Sequence, residues 1–132
     1  MNLKTVVIIT LMIMFIPANA TGDFSEEDGV SRAPHSPIFI DGNTDLFNQA
    51  STEGWPGDGT YTNPILIENL QIDAEGSEYG IRIQNTSRYL KIQNCRIYNA
   101  EYRGKGHNIH LISTSLVTIH SNIITGAYQN NI

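Results

Sequence analysis

The chain has 132 residues and a formal net charge of −5 at pH 7, from 8 basic and 13 acidic side chains. This acidic balance argues against a nucleic-acid partner, because nucleic-acid binding proteins present a basic surface to the phosphates. A single cysteine, Cys95, excludes an internal disulfide.

The first 20 residues are predicted to be a secretory signal peptide. Lys4 gives a positive start, residues 6–16 form an apolar run, and small residues lead to a cleavage site after Ala20. The run is shorter than the roughly 17–25 residues that a membrane-spanning helix needs. We therefore predict a secreted, cell-surface or periplasmic protein with no membrane span after cleavage; an uncleaved anchor is the alternative.

Two segments of different composition follow the signal peptide. Residues 21–36 are acidic and polar and have little to bury, which predicts a flexible leader. Residues 37–62 begin with alternating apolar residues and end in a glycine-rich loop. Between these two parts, one or two helical turns are expected to direct Leu46, Phe47 and Ala50 inward. We predict that residues 37–62 form a cap over the open end of a repeat structure, with Trp55 covering the core.

Residues 63–132 contain a repeated phrase. Ile67–Ile72 reads IENLQI, returns as IQNCRI at Ile92–Ile97 and returns more loosely at Ile119–Ile124. Apolar residues at every second position indicate strands with one buried face, and Asn, Gly and Ser between them indicate corners. Repeats of this period predict a solenoid of short parallel strands. The side chains expected inside are those of Ile67, Ile81, Ile83, Ile92, Ile97, Ile109, Leu111, Ile119 and Ile124.

Two longer segments between the strands differ in length from coil to coil. They cover residues 75–78 and 101–106. Insertions of this kind collect on one side of a solenoid, which is often the binding side. At the other end of the repeats, the chain stops at Ile132 as a further strand is expected to begin. The coils are therefore predicted to be incomplete there, with self-association through the carboxyl-terminal edge or further coils of a longer chain as the consequence.

Basic side chains at outward positions suggest an anionic ligand. Arg82, Lys91 and Arg96 are predicted to form a basic outer face that could bind a uronic-acid polysaccharide. The alternative is a solvated surface that limits edge-to-edge aggregation. No pair of outward carboxylates accompanies these residues, so no catalytic residue is predicted and a binding role is favoured over catalysis.

Histidine and asparagine suggest two further sites. His110 and His120 are expected to point outward from adjacent coils, where two imidazoles could chelate copper or zinc; ordinary solvated histidines are the alternative. Asn85 begins an Asn-Thr-Ser glycosylation triplet at a coil corner, where it could instead serve only as a corner residue. No cofactor is predicted.

Three stretches together carry a family resemblance: PIFIDGN at Pro37–Asn43, GDGT at Gly57–Thr60 and NPILIENLQI at Asn63–Ile72. They resemble the opening of right-handed parallel β-helix proteins of the pectin-lyase-like group, many of them described as NosD-like. The resemblance extends over residues 35–132. It implies an all-β, right-handed parallel β-helix of about three coils, with an amino-terminal cap and no carboxyl-terminal cap.

The function implied by this resemblance is broad, because the group includes lyases, hydrolases, epimerases and adhesins. The favoured expectation is an exported scaffold that binds carbohydrate. One alternative is a fragment of a carbohydrate-active lyase or hydrolase whose catalytic coils are missing. Another is a periplasmic NosD-like protein that handles copper.

Overall fold

A computed structural model describes residues 28–129 and residue 132. The predicted signal peptide and residues 21–27 of the predicted leader lie outside these residues. The described chain is built mainly from short strands, with one helix, α1 (Gly42–Glu53). The strands are β1 (Ala33–His35), β2 (Ile38–Asp41), β3 (Ile65–Glu68), β4 (Leu70–Asp73), β5 (Tyr79–Gln84), β6 (Leu90–Gln93), β7 (Arg96–Tyr98), β8 (His107–Ile112), β9 (Val117–His120) and β10 (Ile123–Thr125).

The strands form three parallel sheets. Sheet A has the order β1-β4-β7-β10, sheet B has the order β2-β5-β8, and sheet C has the order β3-β6-β9. From β3 onward the chain enters sheets C, A and B in turn and then repeats that order, so every neighbour in a sheet comes from another pass of the chain. This arrangement is compatible with a parallel β-helix. The predicted all-β class with parallel strands is confirmed.

The register of the sheets stacks apolar residues on one another inside the fold. Ile67 pairs with Ile92 and then Ile119, and Ile72 pairs with Ile97 and then Ile124. The predicted interior is confirmed. Six of the expected residues are fully buried, while Leu111, Ile119 and Ile124 lie on the last strand of their sheets and pack against the core half-buried. The six are Ile67, Ile81, Ile83, Ile92, Ile97 and Ile109.

Left-handed residues turn the chain from sheet C into sheet A. Asn69 (φ 57°), Asn94 (φ 53°) and Ser121 (φ 54°) occupy this corner in successive passes. Asparagine is among the few residues other than glycine that adopt this conformation readily, which explains its return in the repeated phrase. In sheet A, Ile123 pairs with Arg96 and Gln71 pairs with Arg96. The residues immediately before them, Asn122, Cys95 and Leu70, therefore stack on one another.

Helix α1 covers one end of the apolar interior. Leu46 and Ala50, four residues apart and so on one face of the helix, are buried in the core, and Trp55 packs against it half-buried. The helix is longer than the one or two turns predicted, and Phe47 is 39% exposed instead of facing inward. Gly54, in the left-handed conformation, ends the helix and donates its N–H to Ala50 O.

Regular structure begins earlier than predicted. Strand β1 lies inside the segment interpreted as a flexible leader, and Ala33 pairs in register with Leu70 of β4. Arg32 also anchors this segment, because its Nε donates to Asn94 O at 2.7 Å. The prediction of a flexible leader is wrong for these residues. It was based on the polarity of their side chains, whereas strand pairing is made by backbone groups. Within residues 28–129, no helix is both long and apolar enough to cross a membrane.

Candidate functional site

The three basic residues predicted to share one face lie on three different sheets. Arg82 belongs to β5 of sheet B, Lys91 to β6 of sheet C, and Arg96 to β7 of sheet A. The alternation of apolar and polar residues gave the outward direction of each side chain within its own strand. It could not show that a corner separates each strand from the next. The structure does not bring these residues together, and the predicted basic face is not formed.

The two histidines predicted as metal ligands are also separated. His110 lies on β8 of sheet B and His120 on β9 of sheet C. The neighbour of His110 is His107, with ring centroids 4.6 Å apart and planes tilted by 31°. Across residues 28–129, no three side chains of His, Cys, Asp or Glu are grouped so that they could hold a metal ion.

A different set of side chains comes together on the outer face of sheet B. The register places Phe39 of β2 beside Arg82 of β5, and Arg82 beside His110 of β8. Tyr79 lies beside His107. A third row pairs Asp41 with Gln84. We call this set the sheet B face; it consists of Phe39, Asp41, Tyr79, Arg82, Gln84, His107 and His110.

Two aromatic rings and a guanidinium form the centre of the sheet B face. The rings of Phe39 and Tyr79 have centroids 5.9 Å apart and are tilted by 40°. The Cζ atom of Arg82 lies 5.5 Å from the Phe39 centroid and 5.8 Å from the Tyr79 centroid. Cation–π attraction and cross-strand packing hold the three groups together. Phe39 nevertheless stays 41% exposed, so the cluster presents aromatic surface to solvent.

A chain of hydrogen bonds extends from this cluster toward the start of helix α1. Arg82 Nε donates to Gln84 Oε1 at 3.1 Å, and Gln84 Nε2 donates to Asp41 Oδ2 at 2.9 Å. Asn85 Nδ2 donates to the other oxygen, Asp41 Oδ1, at 2.8 Å. The hydrogen bonds from Asn85 and then Gln84 lower the pKa of Asp41. These contacts fix the positions of the polar groups beside the aromatic rings.

A groove of about 310 Å³ runs along the aromatic edge of the sheet B face. Residues 76–78 form one part of its lining and Tyr102, which is 45% exposed, forms another. These residues come from the two segments of variable length, so the prediction that both insertions reach one side is confirmed. The groove is lined by Pro37, Phe39, Gly76, Ser77, Glu78, Tyr79 and Tyr102.

His110 has an unusual environment on this face. Its Nδ1 is shielded from solvent and has no hydrogen-bond partner among the residues that the structure describes. Burial is the main cause that lowers the pKa of His110, and His107 and Arg82 lower it further, whereas Glu78 raises it. The lowered pKa favours the neutral imidazole of His110 in the free protein.

The predicted glycosylation triplet lies at the edge of the same face. Asn85 is exposed and left-handed (φ 57°), but its Nδ2 is bonded to Asp41. At the third position, the N–H of Ser87 donates to Asn43 Oδ1 at 3.0 Å, and Asn43 Nδ2 donates to Ser87 Oγ at 2.9 Å. The folded triplet thus joins the segment that follows β5 to helix α1. Its modification stays a prediction.

Cys95 points inward and is expected to be unreactive in the folded protein. It is fully buried, its Sγ lies 3.4 Å from Gln93 O, and burial raises the pKa of the thiol. A raised pKa lowers the thiolate fraction, and only the thiolate attacks a disulfide reagent. With Ellman's reagent at about pH 8, near the pKa of a free thiol, we expect negligible labelling until urea unfolds the chain. Rapid stoichiometric labelling of the folded chain would contradict this placement.

Comparison of the chain with protein-family models, with curated proteins and with solved structures gives no match. The function is therefore inferred from three features of the described geometry. They are the exposed ring of Phe39 beside the partly exposed ring of Tyr79, the hydrogen-bonded Arg82–Gln84–Asp41 chain and the groove that reaches Tyr102.

Proposed function

We propose that the protein is an exported carbohydrate-binding scaffold, built as a right-handed parallel β-helix, and that the sheet B face is its ligand-binding surface. The observation that carries the proposal is the aromatic pair of Phe39, which is exposed, and Tyr79, which is partly exposed, beside a fixed row of hydrogen-bonding side chains. The resemblance to β-helix proteins of the pectin-lyase-like group supports the same proposal from the sequence.

The chemistry of a sugar ring matches this arrangement. A pyranose has apolar C–H faces and a rim of hydroxyl groups, so it packs on an aromatic ring while its rim hydrogen-bonds to planar polar groups. On the sheet B face, Phe39 and Tyr79 supply the aromatic surface, and Gln84 and Arg82 supply amide and guanidinium groups. The groove toward Tyr102 extends the surface, so several units of a polysaccharide could lie along it.

The two alternative functions, cleavage of carbohydrate and copper handling, have no comparable observation in their support. Both oxygens of Asp41 on the sheet B face already accept hydrogen bonds, and among the described residues that line the groove Glu78 is the single carboxylate. General acid–base cleavage of a glycosidic bond needs a pair of carboxylates with separate roles. Copper handling relied on His110 and His120, which lie on different sheets.

Removal of the aromatic ring of Tyr79 tests the proposal. We expect the chain to be retained on at least one of cellulose, xylan and chitin, and Tyr79→Ala to weaken that binding by about 10-fold or more, which corresponds to about 1.4 kcal/mol. Depletion from solution by each insoluble polysaccharide, at a series of polymer concentrations, gives the affinities.

Tyr61→Ala is the matched control for this experiment. Tyr61 is 78% exposed and packs edge-to-face on Tyr89, beside Lys91 on the outside of sheet C. The control should bind as the unsubstituted chain does. Failure to bind cellulose, xylan and chitin, and also the charged polymer dextran sulfate, would sink the proposal. Equal losses in the two variants would place the binding elsewhere than on the sheet B face.

A further inference from the structure

Three side chains that can carry positive charge meet on the sheet B face. Arg82 of β5 is the register partner of His110 of β8, and neighbouring strands lie about 4.8 Å apart. The ring of His107 lies 4.6 Å from that of His110, between centroids. His107 is itself the register partner of Tyr79, whose ring contacts Arg82. The two imidazoles therefore lie against each other, and Arg82 occupies the register position next to His110 on the neighbouring strand.

The group has one unsatisfied polar atom. Nδ1 of His110 is shielded from solvent and has no partner within the described residues. A shielded ring nitrogen without a partner costs free energy, and the cost is larger when the ring is charged. Protonation of His110 is therefore costly in the free protein, and an oxyanion placed on the surface beside the ring would offset the repulsion between the charged imidazole and Arg82.

The surrounding charges do not supply that anion. Glu78 is the nearby acid that acts on His110, but burial, His107 and Arg82 outweigh it and lower the pKa of His110. From β2, Asp41 faces Gln84 and Asn85 and is bonded to both. Strand β7, which contacts β8, carries the charged residue Arg96, but its guanidinium lies 5.7 Å from the ring of Tyr98 on sheet A. Burial, His107 and Arg82 therefore disfavour a positive charge on His110 in the free protein.

We propose that Arg82, His107 and His110 form an anion-binding site that takes up protons as it binds, and that its ligand is an acidic group, carboxylate or sulfate, carried by the saccharide. The saccharide part of this inference rests on the proposed function. The anion site itself does not, because an inorganic oxyanion can occupy the same three side chains.

Thermodynamic linkage between proton binding and anion binding determines how the affinity for the anion changes with pH. An anion beside the imidazoles raises their pKa in the complex above the value in the free protein, so anion binding and proton binding reinforce each other. Affinity for the anion therefore rises as the pH falls through the pKa of the complexed histidines, and it is lowest when both rings are neutral. One unit of difference in the pKa of one ring corresponds to about a tenfold change in affinity.

Inorganic sulfate provides a test that needs no saccharide. The full chain, purified after export from an expression host, is titrated with acid while NMR follows the Cε1–H signals of its histidines, in sulfate and in chloride at equal ionic strength. Sulfate is expected to raise the pKa of His110 and to shift the signal of His107, which lies against it, whereas the signal of His120, on sheet C, should be the same in sulfate as in chloride. In Arg82→Gln, the effect of sulfate should shrink markedly. Equal changes at all three histidines, or none, would overturn the anion site.

Dextran sulfate and uncharged dextran separate a saccharide-borne anion from a free one. The sulfated polymer is expected to bind about tenfold more tightly at about pH 5 than at about pH 8. The variant His107→Gln/His110→Gln should lose that pH dependence, and uncharged dextran should show none. Binding of the sulfated polymer that is equal at both pH values would overturn the proton linkage.

The two proposals can fail separately. Loss of every sulfate effect, with Tyr79-dependent polysaccharide binding intact, would overturn the anion site and leave the proposed function standing. A sulfate effect confined to His107 and His110, with no binding to any polysaccharide or to dextran sulfate, would overturn the proposed function. That result would assign the site to free inorganic anions.

Discussion

Replacement of Asn108 by alanine is expected to lower the free energy of unfolding by about 2–5 kcal/mol. Asn108 is fully buried at the start of β8. Its Oδ1 accepts a hydrogen bond from the N–H of Ala100 at 3.1 Å, and its Nδ2 donates to Thr125 O at 2.6 Å. Alanine would leave the buried N–H of Ala100 without this partner, at a cost of about 1–3 kcal/mol, and would also leave a cavity and remove the bond to Thr125 O, which still accepts from Asn99 N–H.

Urea denaturation followed by circular dichroism measures this change. Asn48→Ala is the matched control, because Asn48 is exposed on α1 and the substitution there removes the same atoms without unpairing the interior. It should change the free energy of unfolding by no more than about 0.5 kcal/mol. Equal unfolding midpoints for Asn108→Ala and the unsubstituted chain would show that this side chain does not join successive passes.

Replacement of Gly57 by alanine is expected to destabilise the fold by about 3–6 kcal/mol. An added Cβ would lie 1.9 Å from Pro64 O and 2.5 Å from Pro64 C, and the φ of Gly57 is +103°. The obstructing atoms belong to the backbone, so the clash can be relieved only by moving the loop away from the start of β3. That movement would also strain the hydrogen bond from Leu66 N to Pro56 O.

Gly76→Ala separates the clash from the backbone conformation. Gly76 also has a positive φ, +79°, but an added Cβ there meets no atom within 4 Å. Its cost should be limited to about 1–2 kcal/mol, the cost of placing an L residue in the left-handed region. Thermal or urea unfolding of both variants should therefore show the larger loss for Gly57→Ala. If Gly76→Ala lost as much, close packing of the residue 57 loop would not be the cause.

The features predicted correctly from the sequence are those set by neighbouring residues. Alternation of apolar and polar residues along Ile81–Ile83 fixes which side chains are buried, and the recurring corner asparagines fix the stacking of one pass on another. Both depend on short-range geometry, which a sequence displays directly. The variable segments also reached one groove as predicted, because insertions leave a sheet where its strands end.

The features missed depend on contacts between distant parts of the chain. Arg82, Lys91 and Arg96 were grouped because all three point outward, yet two corners distribute them over three sheets. The aromatic pair was missed because Phe39 and Tyr79 become neighbours only through the register of β2 with β5. The sequence could have indicated this pair, because Phe39 and Tyr79 are aromatic residues at or beside outward positions of their strands.

Chemical-shift mapping tests the central claim, saccharide binding on the sheet B face, most directly. A soluble oligosaccharide prepared from the retaining polysaccharide is titrated into the ¹⁵N-labelled chain. We expect the chemical-shift changes to cluster at the amides of Phe39, Tyr79 and Arg82 and to reach Tyr102 across the groove, while the amides of β9 on sheet C stay unchanged. Changes concentrated around Tyr61 and β9, or no saturable change, would contradict it.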